Sequence, residues 1–262
     1  MKPYLYYGDL PSDAVITGTL KDILPSKCGI YQEGNGYRSW DETDDGYILY
    51  DYDKHTGTCY MQIRANKEWS KIDISFFDIR KHLNASDDYF AFNALRDIFK
   101  YICLKHGGIV LHSSAISFNN NGIVFSAHSG VGKSTHTSLW QEVYGDSIEI
   151  INDDTPAIVI ENGQAILFGT PFCGTSGINK NKAVPLKAIC FIQRSEDNHI
   201  ERLSSTEAIR RFFEQIKRPV TRELMNDALT MIGKVLEVTP IYLLSCNISH
   251  EAVEVVKNEL EI

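Results

Sequence analysis

The chain has 262 residues, of which 43% are hydrophobic and 23% charged; these are the proportions of an ordinary globular protein of one large domain or two small ones. Its net charge of -8 argues against nucleic-acid and acidic-membrane partners, which require a basic face. Its apolar runs fall well short of the ~20 residues a membrane span needs. The opening stretch MKPYLYYGDLPSD lacks the apolar core of a signal peptide. The six cysteines are scattered without a C-x-x-C pair, so a cytoplasmic protein with reduced thiols is expected.

Taken in chain order, residues 1–87 read as a β-rich region. YILYDYD, TCYMQIR and KIDISFF are short aromatic and β-branched runs separated by Gly and Asp turns. The period changes over DYFAFNALRDIFKYICLK, where Phe92, Leu95, Phe99 and Ile102 recur at helical spacing and Gly107-Gly108 ends the helix. A domain boundary is therefore expected near here, giving a second domain over 88–262. GIVLHSSAISF and IVFSA read as two strands of a hairpin around an Asn-Gly turn in NNNG. A helix over STHTSLWQEVYG, a strand SIEII, a hairpin over PAIVIENGQAILFG and a buried strand LKAICFIQR follow. Two helices, the strand IYLLSC and a last helix complete the chain. The fold class is α/β, and the hairpins make its sheet mixed rather than purely parallel.

Residues 127–134, A-H-S-G-V-G-K-S, satisfy the phosphate-loop pattern G-x-x-x-x-G-K-[ST] at every position but the first, where Ala127 replaces glycine. A strand precedes this segment and a helix follows it, as the motif requires. The expected cradle is the backbone of Ser129, Gly130, Val131, Gly132, Lys133, Ser134 and Thr135, whose N–H groups and helix N-terminus attract anions. Lys133 supplies a cation for the outer phosphates, and Ser134 a hydroxyl for Mg²⁺. The alternative is an ordinary strand–turn–helix.

The helix after the loop carries the chain ~16 Å away, and the next strand brings it ~16 Å back. Asp153 and Asp154 should therefore lie beside the loop. Paired carboxylates there can divide two tasks, one holding Mg²⁺ and one accepting a proton from an attacking hydroxyl. Otherwise NDDTP is a polar turn closed by Pro156. If Phe118 faces Ile123 across the hairpin, His112 lies opposite Ser129, where an imidazole could ligate metal or orient phosphate. The other reading is a buried histidine satisfied by backbone. GTPFCGTSGINKNK reads as a mobile lid bringing Lys180 and Lys182 over phosphates, or as a plain surface loop. IRRFFEQIKR, with Arg210, Arg211, Lys217 and Arg218, is either a solvated face or a docking surface for an acidic peptide.

The combination LHSSA…GIVFSAHSGVGKST…IINDD resembles the nucleotide-binding core shared by HPr kinase/phosphorylase and phosphoenolpyruvate carboxykinase. FGTPFCGTSGINKNKAVPLKAICFIQRSEDNHIERLS and PIYLLSCNISHEAVEVV are similar to a bacterial HPr-kinase-like subgroup, some of whose members accompany ribosomal peptide pathways. The resemblance spans roughly residues 107–260. It implies ATP with Mg²⁺ or Mn²⁺, His112 as a metal ligand, and Asp153 and Asp154 as an acidic pair of which one is general base and the other metal ligand; Asp153 is taken as the base and Asp154 as the ligand, an order the resemblance leaves open. It also implies assembly into homo-oligomers. Neither the arginine segments of the carboxykinases nor the HPr kinase signature after the acidic pair is present.

The leading expectation is thus a kinase that transfers the γ-phosphoryl of ATP to a serine hydroxyl of a small protein or peptide. Lys133, Asp153 and His112 are its catalytic candidates, and Ser134, Asp154 and His112 its metal ligands. The rivals are a small-molecule kinase and a nucleotide-binding regulator without transfer activity.

Overall fold

The computed structural model describes residues 11–21, 31–32, 38–53, 56–77, 87–219 and 221–262. It is an α/β protein with mixed sheets and a strand-rich N-terminal region. Packing divides it into two compact units. One holds the described residues up to Lys105 together with Pro219–Met225, and the other His106–Arg218 and Asn226–Ile262. No described helix is long and apolar enough to cross a membrane.

The first unit contains β1 (Val15–Lys21), β2 (Tyr31–Gln32), β3 (Arg38–Thr43), β4 (Gly46–Tyr52), β5 (Cys59–Asn66), β6 (Lys71–Phe77) and α1 (Asp87–Lys105). Its six strands are ordered β1-β6-β5-β4-β3-β2. Trp40, Tyr47 and Trp69 form an aromatic core with Tyr101 of α1, whose ring stacks on Trp69 at 4.4 Å. The fully buried face of α1 is Ala94, Ile98 and Tyr101, while Phe92, Leu95, Phe99 and Ile102 are half-buried. Apolar residues lie on both faces of this helix, so periodicity alone did not separate the two. Arg38, itself buried, is paired with Asp51 and, at 2.7 Å, with Asp97.

The second unit contains β7 (Gly108–Val110), β8 (Ser113–Phe118), β9 (Asn121–Ser126), α2 (Lys133–Tyr144), β10 (Ile148–Asp154), β11 (Ala157–Glu161), β12 (Gln164–Phe168), β13 (Ala183–Arg194), β14 (His199–Arg202), α3 (Ser205–Gln215), α4 (Arg222–Val238, from Asn226 onward), β15 (Ile241–Cys246) and α5 (His250–Leu260). Its strands form a sheet ordered β10-β8-β9-β13-β12-β11-β7, with β15 beside β13 and β14 beside β15. The long strand β13 runs parallel to both β9 and β15. Since β10 opposes β8 and β8 opposes β9, β10 runs in that same direction. The carboxyl ends of β9, β10, β13 and β15 therefore share one edge, the usual ligand-binding edge of an open α/β sheet.

One sheet face (Ile116, Phe125, Ile150, Cys190 and Leu244) is covered by Leu139 and Trp140 of α2 and by Val253 and Val256 of α5. Helix α3 starts at a capping box, in which the Ser204 side chain and Glu207 each satisfy the other's backbone N–H. Its Phe212 packs edge-on against Phe191.

Candidate active site

Register assembles the site. Ser113 of β8 lies opposite Ser126 on one side and opposite Asp154 on the other. One row across three strands therefore ends at the start of the phosphate loop, at His112 and at the acidic pair.

The hairpin is not the one expected. Asn119 and Asn120 form its turn, with φ of 49° and 63°, as a two-residue type I′ turn requires. Phe118 therefore pairs with Asn121, two residues away from the assumed register, and His112 does not oppose Ser129. Gly122 serves packing instead. A Cβ there would lie 2.9 Å from Leu167 and 3.0 Å from the Pro185 carbonyl. GIVLHSSAISF is also two strands rather than one: β7 joins β11, β8 joins β9 and β10, and His112 sits at the break. The Ser126 hydroxyl donates to the His112 carbonyl at 2.9 Å. His112 Nε2 lies 3.5 Å from Asp154 Oδ1.

The loop itself has the form the sequence suggests. Gly130 and Gly132 take φ of 79° and 133°, open to glycine and strained for other residues. No side chain caps α2, which leaves its first-turn N–H groups available to an anion. Ala127 is buried in the hydrophobic core, so the methyl that replaces glycine's hydrogen is accommodated by packing. Lys133 is buried and donates to the Ala127 carbonyl at 3.0 Å. Burial pushes its pKa down, against the opposing pull of Asp154 and Asp153. Ser129 and Gly130 are exposed, as are Ser134 and Thr135 at the start of the helix, while Val131 is half-buried. The Ser134 hydroxyl donates to Asp153 Oδ1 at 2.8 Å.

NDD is not a turn. It is the end of β10, entered through a register shift between Ile150 and Asn152, and Asp154 has a φ of 153° that L-residues rarely adopt. Asn152, fully buried, donates to the carbonyls of Thr170 and Phe172 and accepts from Thr155 N–H at 2.8 Å. The hydroxyls of Thr155 and Thr170 close this network. The glycine-rich stretch runs along the acidic strand, with Asp153 N–H bonded to the Ile178 carbonyl and Gly174 N–H to the Asp153 carbonyl. Lys180 and Lys182 do not reach the phosphate loop. Both bond Glu149, Lys180 at 2.7 Å, and hold its carboxyl below the usual range.

Residues 86–261 match the family described as SynChlorMet cassette protein ScmC. The chain belongs to the ScmC family. No curated protein matches it. Among solved structures, the HPr(Ser) kinase/phosphatase from Coxiella burnetii is similar with a TM-score of 0.35 at 11% identity, over 57% of this chain and 95% of that one.

In this ScmC-family chain the site also uses residues that motif reading did not single out. Arg194, at the end of β13, donates from Nε to the Val131 carbonyl at 3.1 Å and from its guanidinium to the Gly130 carbonyl. Its pairing partner strand explains the encounter: Phe191 of β13 lies opposite Ser126 of β9, so both chains leave the sheet together. No local spacing marks an arginine so distant in sequence. Asn152, Thr155 and Thr170 were legible only as turn formers. Across the loop, His128 Nε2 lies 3.7 Å from Glu214 near the end of α3, and His112 N–H bonds the Gln215 carbonyl.

Proposed function

We propose that this chain is an ATP-dependent phosphotransferase acting on a serine hydroxyl of a small protein or peptide. The observation that carries the reading is the 2.8 Å bond from Ser134 to Asp153. It joins the hydroxyl at the helix start to the first carboxylate of the acidic pair, with Lys133 close to both acids. A pure strand–turn–helix has no use for this convergence.

The oxygen donors of Ser134 and Asp153 suit Mg²⁺, a hard cation that takes one or two protein carboxylates and completes its shell with phosphates and water. Among the described residues no group of three or more His, Cys, Asp or Glu could hold a metal by itself. Ser134 and Asp153 would hold the ion, which when bound neutralises phosphate charge. The backbone of 129–135 would cradle the phosphates, with Lys133 at their outer end.

The same contact favours Asp153 as metal ligand and Asp154 as base, the reverse of the order taken in the sequence analysis. Asp154 is the carboxylate beside His112, which would orient it. In the reaction the acceptor O–H gives its proton to Asp154, its oxygen bonds the γ-phosphorus, and the bond to the β-phosphate oxygen breaks to release ADP. A chain-like acceptor is favoured by α3, whose exposed Arg210 and the following Arg218 lie on the segment that adjoins His128 and His112.

The test is incubation with labelled ATP and the proteins encoded in the same cassette, followed by mass spectrometry. Phosphoserine on one of them is expected. Phosphate on a metabolite alone would establish a small-molecule kinase. Tight ATP binding with neither transfer nor hydrolysis would establish a regulator.

A further inference from the structure

The glycine-rich stretch after β12 is tied to the acidic strand at two points. Cys173 bridges Asp154, and Asn179 bridges Asn152. Between these ties residues 174–178, Gly-Thr-Ser-Gly-Ile, form an exposed tip. The tip is a turn closed by the Gly177 N–H on the Gly174 carbonyl at 3.3 Å. Gly177 has a φ of 71°, a backbone state that glycine adopts without strain. At the near end of the turn, the Gly174 N–H is bonded to the Asp153 carbonyl at 3.0 Å.

These bonds set the turn against the carboxylate assigned as base. A Cβ built on Gly174 would lie 3.4 Å from Asp154 Cβ and 3.6 Å from its carboxyl carbon. Glycine at this position therefore leaves that side of Asp154 uncovered. Thr175 comes next, its Cα about 3.8 Å from that of Gly174. Thr175 is exposed, and its hydroxyl has no hydrogen-bond partner among the described residues. Ser176 differs, because its hydroxyl accepts from the Ile178 N–H at 3.3 Å and is drawn back onto the turn.

We propose that this turn is a self-phosphorylation site, in which the Thr175 hydroxyl takes the γ-phosphoryl of ATP bound in the same chain. The inference rests on the phosphotransferase reading given above, with Asp154 as base. The Thr175 O–H gives its proton to Asp154, and its oxygen bonds the γ-phosphorus. The bond from that phosphorus to the bridging oxygen breaks, and ADP leaves with the oxygen. Asp154 then returns the proton to water. An acceptor on the same chain needs no docking energy, because its tether already supplies proximity. A flank of two glycines gives the hydroxyl the freedom to swing into line.

Incubation of the purified chain with Mg-ATP alone, followed by peptide mass spectrometry, tests this. Phosphothreonine at position 175 is expected. Its rate of formation per chain should not depend on protein concentration, since donor and acceptor sit in one molecule. Thr175→Val, on an exposed turn where folding is not at stake, should bind Mg-ATP as the wild type does and lose the phosphate. Thr175→Ser keeps a hydroxyl and should retain it, and Asp154→Asn should slow its formation ~10²–10⁴-fold. Absence of phosphate on the chain while a protein of the same cassette is phosphorylated would overturn the inference and leave the phosphotransferase reading standing. So would a rate per chain that rises with protein concentration, or phosphate in equal yield on Thr175→Val. If neither the chain nor any cassette protein is phosphorylated, both readings fail.

Discussion

Exchanging each carboxylate of the acidic pair for its amide separates metal binding from proton transfer. Asp153→Asn keeps an oxygen that can still accept from the Ser134 hydroxyl, so the contact between helix and strand survives and only the charge is lost. A unit charge about 4 Å from another is worth about 4 kcal/mol at the effective dielectric of a partly buried site. Asp153 is 9% exposed, so screening by water is limited. Mg-dependent ATP affinity should therefore fall by on the order of 10²–10³, and raised Mg²⁺ should recover part of it. Asp154→Asn should behave differently. Mg-ATP binding should persist, while transfer falls ~10²–10⁴-fold through loss of the proton acceptor, with no recovery at high Mg²⁺. Titration calorimetry across Mg²⁺ concentrations, paired with single-turnover transfer rates, distinguishes the two. If Asp153→Asn binds Mg-ATP normally and Asp154→Asn does not, the roles are reversed. If both variants transfer at the wild-type rate, the acidic pair has no catalytic part.

Other substitutions probe the surroundings. His112→Ala should lower turnover by about three- to tenfold by freeing Asp154, whose Oδ1 lies 3.5 Å from the ring Nε2, a contact worth no more than an ordinary polar one of about 1 kcal/mol, with the thermal midpoint unchanged because the ring is 36% exposed; a stability loss without a rate change would make it a structural histidine. Gly122→Ala should destabilise by about 1–3 kcal/mol, since the new Cβ meets the immobile Pro185 carbonyl at 3.0 Å, seen as a lower urea midpoint at constant m-value. His136 supplies a pH dependence. Its folded pKa of about 4 lies below the ordinary 6.5, so the unfolded chain takes up this proton first. The stability of the neutral buried ring is complete above pH 6.5 and is lost as pH falls toward 4. Between pH 7.5 and 4.5 the wild type should lose about 2–3 kcal/mol more than His136→Leu, and parallel losses in urea unfolding would refute the assignment.

The strand–loop–helix around residues 127–135 was legible because its form is local. The positive φ of Gly130 and Gly132 and the helix start at Lys133 are conformations that neighbouring residues specify by themselves. The return of Asp153 and Asp154 to that loop was equally legible, since one helix and one strand have fixed rises per residue. The α/β class and the strand-rich beginning followed from periodicity in the same way. Register was not so fixed. The turn could fall at more than one place in Asn119–Gly122, and the one formed lays Gly122 flat against Val184, Pro185 and Leu167; every pair is moved by two from the Phe118–Ile123 register, and His112 comes to Asp154 instead of opposing Ser129. Sequence left Lys180 and Lys182 between a lid over phosphates and a plain surface loop, and pairing placed Glu149 between them. Arg194 had no sequence signature. It meets the loop only because β9 and β13 run parallel, and parallel pairing joins segments that are far apart in the chain.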